Sequence, residues 1–554
     1  MSVLWQQTSG TPPCPSALKS NNTAHTPLRE TVMSTPDLLK DSPISAGSQD
    51  HTDETIMPQG RPWLRHLGGL SLGVVAGIAI YLVFPKELSP ALVEQFADKG
   101  LKTSGTNIAI TAGIAVMMGV WWMTEAIPLA ATALVPVTLF PIFGIMSFKD
   151  AGAAYASSTI FLFMGGFFLA LAMQRWNFHR RLALTIVKAI GTKPSRLVLG
   201  FMVATGFLSM WVSNTATAVM MLPIGISVLA TVGHVNDDDG PRLSNFGTAL
   251  MLGIAYAASI ASLSTLIGTP PNALLRGYLQ DTHNITLSFG NWMLFATPMA
   301  WLFLLIAWQV LIRVYKPEVK EIPGGKELIE RELRDMGPMS AQEKIVGLIF
   351  VMAALSWIVI PTVWPKGPIS DSTIAMVLAL VLFIAPAKPS QGVAILDWDT
   401  AKHIPWDVLL LFGGGLALSA AFGTSGLSSW IGEVAGSMAG LPIILIIVGV
   451  AAIVIFLTEM TSNTATAAAF LPIIGAVAIG MGVDVQLLVI PVALAATCAF
   501  MLPVATPPNA IAYSSGYITI AQMVKAGVWL NIIGVLLIAA WTVAFGPLLL
   551  GFSL

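Results

Sequence analysis

The sequence predicts an all-α, polytopic membrane protein made of two related halves. Three observations carry that prediction. Of 554 residues, 55% are hydrophobic and only 10% are charged, against roughly 25% charged in soluble domains. The charges are also concentrated: of 57 Lys, Arg, Asp and Glu, 10 lie in residues 1–62 and 13 in 316–344, which leaves 34 over the other 463 positions. Finally, two unusual polar phrases recur in the same order in the two halves. A chain so poor in charge cannot present a wet surface all round. Soluble enzymes, nucleic-acid binders and disulfide-rich secreted domains are excluded as whole-chain readings. The net charge of −1 carries no polybasic signature for nucleic acid, and two cysteines, Cys14 and Cys498, make neither a disulfide framework nor a metal cluster.

Residues 1–62 are rich in Ser, Thr, Pro, Asp and Asn. That composition cannot bury a core, so the segment is expected to be a disordered tail. A helix needs roughly 20 apolar residues to cross a bilayer. Candidate runs lie near 67–84, 106–123, 128–146, 158–174, 248–266, 292–314, 345–361, 371–387, 407–422, 485–504 and 528–552. Two longer apolar blocks, 197–232 and 441–482, are broken halfway by polar residues. Backbone that leaves the helix at membrane depth must face protein or a water-filled cavity. Segments 178–192 and 428–440 read as helices on the membrane surface, the first basic and flanked by Trp176. The stretch 316–344 reads as a solvated, charged linker with a short helix that divides a first half, 63–315, from a second, 345–554. Basic residues cluster at 61–65, 175–196 and 313–326. The excess of Lys and Arg in cytoplasmic loops puts all three clusters, and the N-terminus, in the cytoplasm.

The recurring phrases hold the chemistry. Ser213-Asn214-Thr215 opens SNTATAVMMLPI and Ser462-Asn463-Thr464 opens SNTATAAAFLPI, with nine of twelve positions identical. Fifty-five residues after Ser213 comes GTPPNA at 268–273, and forty-three after Ser462 comes ATPPNA at 505–510. Repeats at this separation indicate two copies of one unit. The charged linker between them and a shifted span count predict opposite orientations in the membrane. Interrupted segments at corresponding places in two halves point to a transporter binding site. The residue types suit it. A Pro-Pro pair stops a helix and frees carbonyls for a cation. The helix that resumes offers N-terminal amides to an anion. Ser, Thr and Asn add neutral oxygens and amide donors. Ser209 lies one helical turn before Ser213, and Thr458 stands in the same relation to Ser462.

Ionisable residues in membrane segments are functional candidates. Glu125 reads as a helix cap. Glu459, beside Thr458, is open to two readings: it tunes a cation or carries a proton, or it orients the second break by hydrogen bonding. No Arg is evident deep in a span near either phrase, so an anion would be held by neutral donors, helix ends and co-bound cations. The glycine pairs 165–166 and 413–415 read as packing. Gly423-Thr424-Ser425-Gly426 resembles a serine-protease motif, but a base is needed to activate the Ser. The last His in the chain, His403, precedes Ser425, so an enzyme is not expected.

These phrases, with WWMTEAIPLAATALVPVTLFPIFGI at 121–145 and MGGFFLALAMQRWNFHRR at 164–181, closely resemble the divalent anion/sodium symporter family over residues 65–554. The resemblance implies about 11 transmembrane helices in two inverted repeats, plus two re-entrant hairpins at 197–232 and 441–484, and a homodimer in the cell (inner) membrane. The breaks at 268–272 and 505–509 become unwound parts of two helices. By motif, Ser209, Ser213, Asn214 and Gly268 would form one sodium site, and Thr458, Thr461, Asn463 and Ala505 the other, several through backbone carbonyls. Thr461 stands where small residues are usual. Asn214, Thr215, Thr269, Pro270, Asn463, Thr464, Thr506 and Pro507 would line the pocket for the substrate carboxylates. The implied partners are a dicarboxylate of the succinate, fumarate or malate type, sodium ions and the lipid bilayer. No cofactor, no metal other than transported sodium, and no nucleic acid is expected. Citrate or sulfate transport, dicarboxylate exchange and proton coupling are the neighbouring possibilities, and the implied motion is an elevator.

Overall fold

The structure, a computed structural model, describes residues 62–98, 100, 103–191, 193–233, 244–318, 325–364, 367–436 and 440–553. The expected tail at 1–61 lies outside them. The described chain is helical, apart from one two-residue-wide antiparallel ribbon pairing Pro386–Lys388 with Val393–Ala394. Among the described residues, nine helices are long and apolar enough to cross a membrane, and shorter apolar helices accompany them. This is an all-α polytopic membrane protein.

Most apolar runs become single helices, for instance Pro62–Val83, Gly105–Thr124, Ser158–Arg175, Phe289–Val314, Ala341–Val363, Trp406–Ser425 and Ile520–Leu550. Their starts follow ordinary capping chemistry: the hydroxyls of Ser104, Ser288 and Thr519 accept the N–H three residues on. The run 128–146 departs from expectation. It folds as two short helices, Leu129–Thr132 and Val135–Ile142. Pro136 lacks the N–H that would have bonded the Thr132 carbonyl, so one continuous helix is interrupted there. The run 371–387 stops at Ile384, two residues before Pro386 opens the ribbon. Glu125 is the left-handed C-cap of Gly105–Thr124, with φ 48°, as the capping reading expected.

Burial separates two kinds of helix. The first span, His66–Val83, buries only 17% of its apolar window, and Leu72, Val75, Ile78 and Leu82 face outward. A surface so apolar needs lipid. Asn245–Ser262 is 94% buried, and all twelve residues of Val485–Ala496 are buried. The core is centred on these two enclosed helices, and both lead into the recurring Thr-Pro-Pro-Asn phrases. The glycine pairs are packing positions: a Cβ on Gly165 would lie 2.7 Å from Ala375, and one on Gly414 would lie 2.4 Å from the Ala133 carbonyl.

The charged segment is not simply solvated. Its helix Gly325–Asp335 docks on the basic helix Phe178–Ile190 through Arg180–Glu332 and Lys188–Glu330 (3.2 Å). Arg181 reaches Glu343 at 2.8 Å, and Ile329 of the docked helix is buried. Opposite net charges on the two helices bring them together, which sequence periodicity alone does not reveal. The second surface segment forms a helix at Leu427–Gly436, and residues 437–439 lie outside the description.

Candidate binding site at the paired helix breaks

Each half contains a helix–turn–helix unit carrying the Ser-Asn-Thr phrase. The first joins Pro194–Ser209 to Asn214–Gly233, and the second joins Ile443–Thr458 to Asn463–Gly480. The four turn residues end at Ser213 and Ser462, so the motif Asn and Thr begin the second helix of each unit. Each half also contains a broken helix. In the first, Asn245–Ser262 gives way to non-helical 263–269 before Pro270–His283; in the second, Val485–Ala496 gives way to 497–506 before Pro507–Ser514.

The proline pairs do not end the preceding helices, as was expected. Each break begins earlier, and the prolines occupy the first two positions of the resumed helix. There a missing N–H costs nothing and the fixed φ favours helix. The helices end earlier because the breaks are held by side chains. Asn272 Nδ2 donates to the carbonyls of Leu263 (3.1 Å) and Thr265 (2.8 Å). Asn509 Nδ2 does the same to Ala499 and Leu502, both at 3.1 Å. These two asparagines were not among the expected site residues. Their presence in both Thr-Pro-Pro-Asn copies was the available signal.

The expected residues converge in matching pairs. In the first half, Ser209 Oγ lies 2.6 Å from the Ala258 carbonyl and 3.4 Å from Asn214 Oδ1. In the second, Thr458 Oγ1 lies 2.9 Å from the Ala496 carbonyl and 2.8 Å from Asn463 Oδ1. Each cluster therefore holds three oxygens and a single hydroxyl proton. Ser209 and Thr458 are fully buried, while Asn214 and Asn463 are half-buried. Asn214 Nδ2 reaches Ser262 Oγ at 3.3 Å. Gly268 is pressed against the end of its lead-in helix, where an added Cβ would lie 2.2 Å from the Ser262 carbonyl oxygen. Ala505, its counterpart, is buried.

The two halves meet through threonines: Thr269 Oγ1 is 3.3 Å from Thr497 Oγ1, across the two breaks. Thr506 caps its helix by accepting from Asn509 N. Thr269, Thr464 and Thr506 are buried, Pro270 is half-buried, and Ser213, Thr215 and Pro507 are exposed. Thr461 turns inward, with its hydroxyl 2.7 Å from Thr466 Oγ1 and 3.0 Å from the Leu457 carbonyl. Glu459 binds the second break, which matches the hydrogen-bonding reading of the two.

One expectation is corrected. Arg276 is a buried arginine eight residues after Gly268, on the resumed helix. Its guanidinium is committed elsewhere, to Asp371 at 3.6 Å, the Leu287 carbonyl at 3.1 Å and Thr159 Oγ1 at 3.2 Å. It was missed because 270–283 lies between the candidate apolar runs 248–266 and 292–314. Ser425 is buried, and its hydroxyl accepts the Leu427 N–H at 3.4 Å. Among the described residues, no group of three or more His, Cys, Asp or Glu is placed to hold a metal.

Two enclosed, interrupted helices facing two polar turns define a membrane transport fold. The family model for the sodium:sulfate symporter transmembrane region matches residues 98–552, and the chain belongs to this family of divalent anion/sodium symporters. It is 41% identical to the sodium-dependent dicarboxylate transporter SdcS of Staphylococcus saprophyticus over 495 residues, 88% of this chain and 92% of the relative. It is 44% identical to SdcS of Staphylococcus aureus strain USA300 over 455 residues, 81% of this chain and 87% of the relative. A solved structure of Neisseria gonorrhoeae MtrF, described with a class of antimetabolite efflux pumps, shares the fold at TM-score 0.50 and 13% identity, covering 74% of this chain and 85% of that one.

Proposed function

We propose that the chain is a sodium-coupled carrier of C4-dicarboxylates, succinate, fumarate or malate, lodged in the cell (inner) membrane with its N-terminus in the cytoplasm. The observation that carries this reading is the doubled oxygen cluster. Ser209, Asn214 and the Ala258 carbonyl in one half, and Thr458, Asn463 and the Ala496 carbonyl in the other, each bring three oxygens together with one proton between them. Such a set is short of positive charge, and a hard cation that takes oxygen ligands supplies it. Ser213, Gly268, Thr461 and Ala505 would complete the two sodium sites. The substrate carboxylates would lie between the clusters, against Asn214, Thr215, Thr269, Pro270, Asn463, Thr464, Thr506 and Pro507. Four helices begin at these phrases, at Asn214, Pro270, Asn463 and Pro507, and N-terminal amides favour an anion.

The relatives named sodium-dependent dicarboxylate transporters support both the cation and the substrate class. We read the two helix–turn–helix units as re-entrant hairpins of inverted repeats, 63–315 and 345–554. In this reading they move with the broken helices as one elevator body against the remaining helices of a homodimer. The test is uptake of labelled succinate into proteoliposomes with and without an inward sodium gradient, with malate, citrate and sulfate as competitors. Sodium-driven uptake, competed by malate and not by sulfate, is expected. Uptake that ignores the gradient and requires internal dicarboxylate would replace symport with exchange.

A further inference from the structure

Glu459 sits where a carboxylate is disfavoured. It is the C-cap of Ile443–Thr458, at the negative end of that helix dipole, and only 3% of it is exposed. Its contacts explain its presence. Oε1 accepts from Phe500 N at 2.6 Å, Met501 N at 2.9 Å and Asn531 Nδ2 at 2.7 Å. Oε2 accepts from Met501 N and Leu502 N, both at 3.1 Å. Three consecutive backbone N–H groups of the second break therefore point at one side chain. Backbone that has left a helix must find partners for its amides when buried, and here a single carboxylate serves three. Four of these five contacts come from backbone N–H groups, which can only donate. A protonated carboxyl would direct its own O–H at one of them, so the arrangement fits the anion.

The matching position in the first half has no such group. At the position following Ser209 stands Met210, whose side chain carries no charge and whose backbone carbonyl accepts the Thr265 hydroxyl. The two clusters are alike in their oxygens and unlike in charge: one has a fixed buried anion at the next residue, the other does not.

We propose that Glu459 is a positioning residue that sets the two cation sites apart, so that the Thr458–Asn463 cluster takes sodium at lower concentration than the Ser209–Asn214 cluster. Its carboxylate shapes the 500–502 backbone around the second site and lowers the local potential there. This inference rests on the reading of both clusters as sodium sites.

The experiment uses the full-length protein in proteoliposomes, with succinate uptake measured against sodium concentration for Glu459→Gln, Glu459→Asp and Asn463→Ala. In Glu459→Gln, the sodium half-saturation is expected to rise by about tenfold or more, as for losing a charged acceptor, and to change more than the maximal rate. Glu459→Asp keeps the charge but cannot reach all three amides, so its half-saturation should fall between wild type and Glu459→Gln. An unchanged half-saturation in either variant would overturn the proposal. A displaced pH profile with unchanged sodium dependence would also overturn it, by making Glu459 a proton carrier. If Asn463→Ala also leaves sodium dependence unchanged, the sodium-site reading itself fails, and this inference with it.

Discussion

Gly268 offers a sharp test of the first cation site, because its counterpart in the second half is Ala505. A Cβ added at Gly268 would lie 2.2 Å from the Ser262 carbonyl oxygen, 3.0 Å from its carbonyl carbon and 3.1 Å from its Cα. A carbon rests at about 3.3–3.6 Å from a carbonyl oxygen, so Gly268→Ala must push the break off the end of Asn245–Ser262 by about 1 Å. Overpacking of this kind costs about 1–3 kcal/mol. If the strain is relieved by displacing the site, it appears as an increase of roughly 5- to 150-fold in the sodium half-saturation for succinate uptake. The same variant should insert and run as a folded protein in size-exclusion chromatography. Ala505→Gly is the control. It adds backbone freedom without a clash and should weaken sodium dependence by less than about fivefold, from a cost of about 0.5–1 kcal/mol. A Gly268→Ala protein whose sodium half-saturation matches wild type would refute the placement of Gly268 in a cation site.

Further outcomes follow from the same geometry. Asn214→Ala and Asn463→Ala each remove one oxygen from a cluster and an amide from the substrate pocket, so each should abolish sodium-driven succinate uptake while the protein still inserts. Asn509→Ala removes two hydrogen bonds from the second break, a loss of about 1–3 kcal/mol, and hydrogen exchange should accelerate at 499–502 ahead of the rest of the chain. Asp371→Leu leaves Arg276 buried and unpaired, and thermal unfolding should report a loss of about 3–5 kcal/mol. The double change with Arg276→Met should recover most of it, and a double variant no more stable than the single would contradict the pairing.

Much of the architecture was legible in the sequence, for identifiable reasons. Apolar length marks a helix that must bury its backbone in lipid, so the runs at 67–84, 345–361 and 528–552 could be read directly. The duplicated SNTATA and TPPNA phrases located both turns and both breaks, since a single polar phrase could be interhelical glue or a cap but the same pair in both halves points to a shared site. What stayed hidden depends on partners distant in sequence. The docking of Gly325–Asp335 on Phe178–Ile190 is a matter of charge pairing between separate segments. The Arg276–Asp371 pair joins residues nearly a hundred positions apart. The proline pairs were read as stops, yet they open helices, because the breaks are set upstream by Asn272, Asn509 and Glu459 acting on carbonyls and amides. Among the candidate site residues, the pairing of Ser209 with Asn214 and of Thr458 with Asn463 follows from one helical turn plus a tight turn. The inward turn of Thr461 toward Thr466 does not follow from any local pattern.

The central claim is that the positive charge for binding a dianion comes from sodium and helix ends, since the buried arginine near the site is already paired with Asp371. Equilibrium binding of labelled succinate to the purified protein, in sodium chloride and in choline chloride at equal ionic strength, measures this directly. The account predicts saturable binding in sodium and its loss in choline. Equal affinity in the two salts would contradict it.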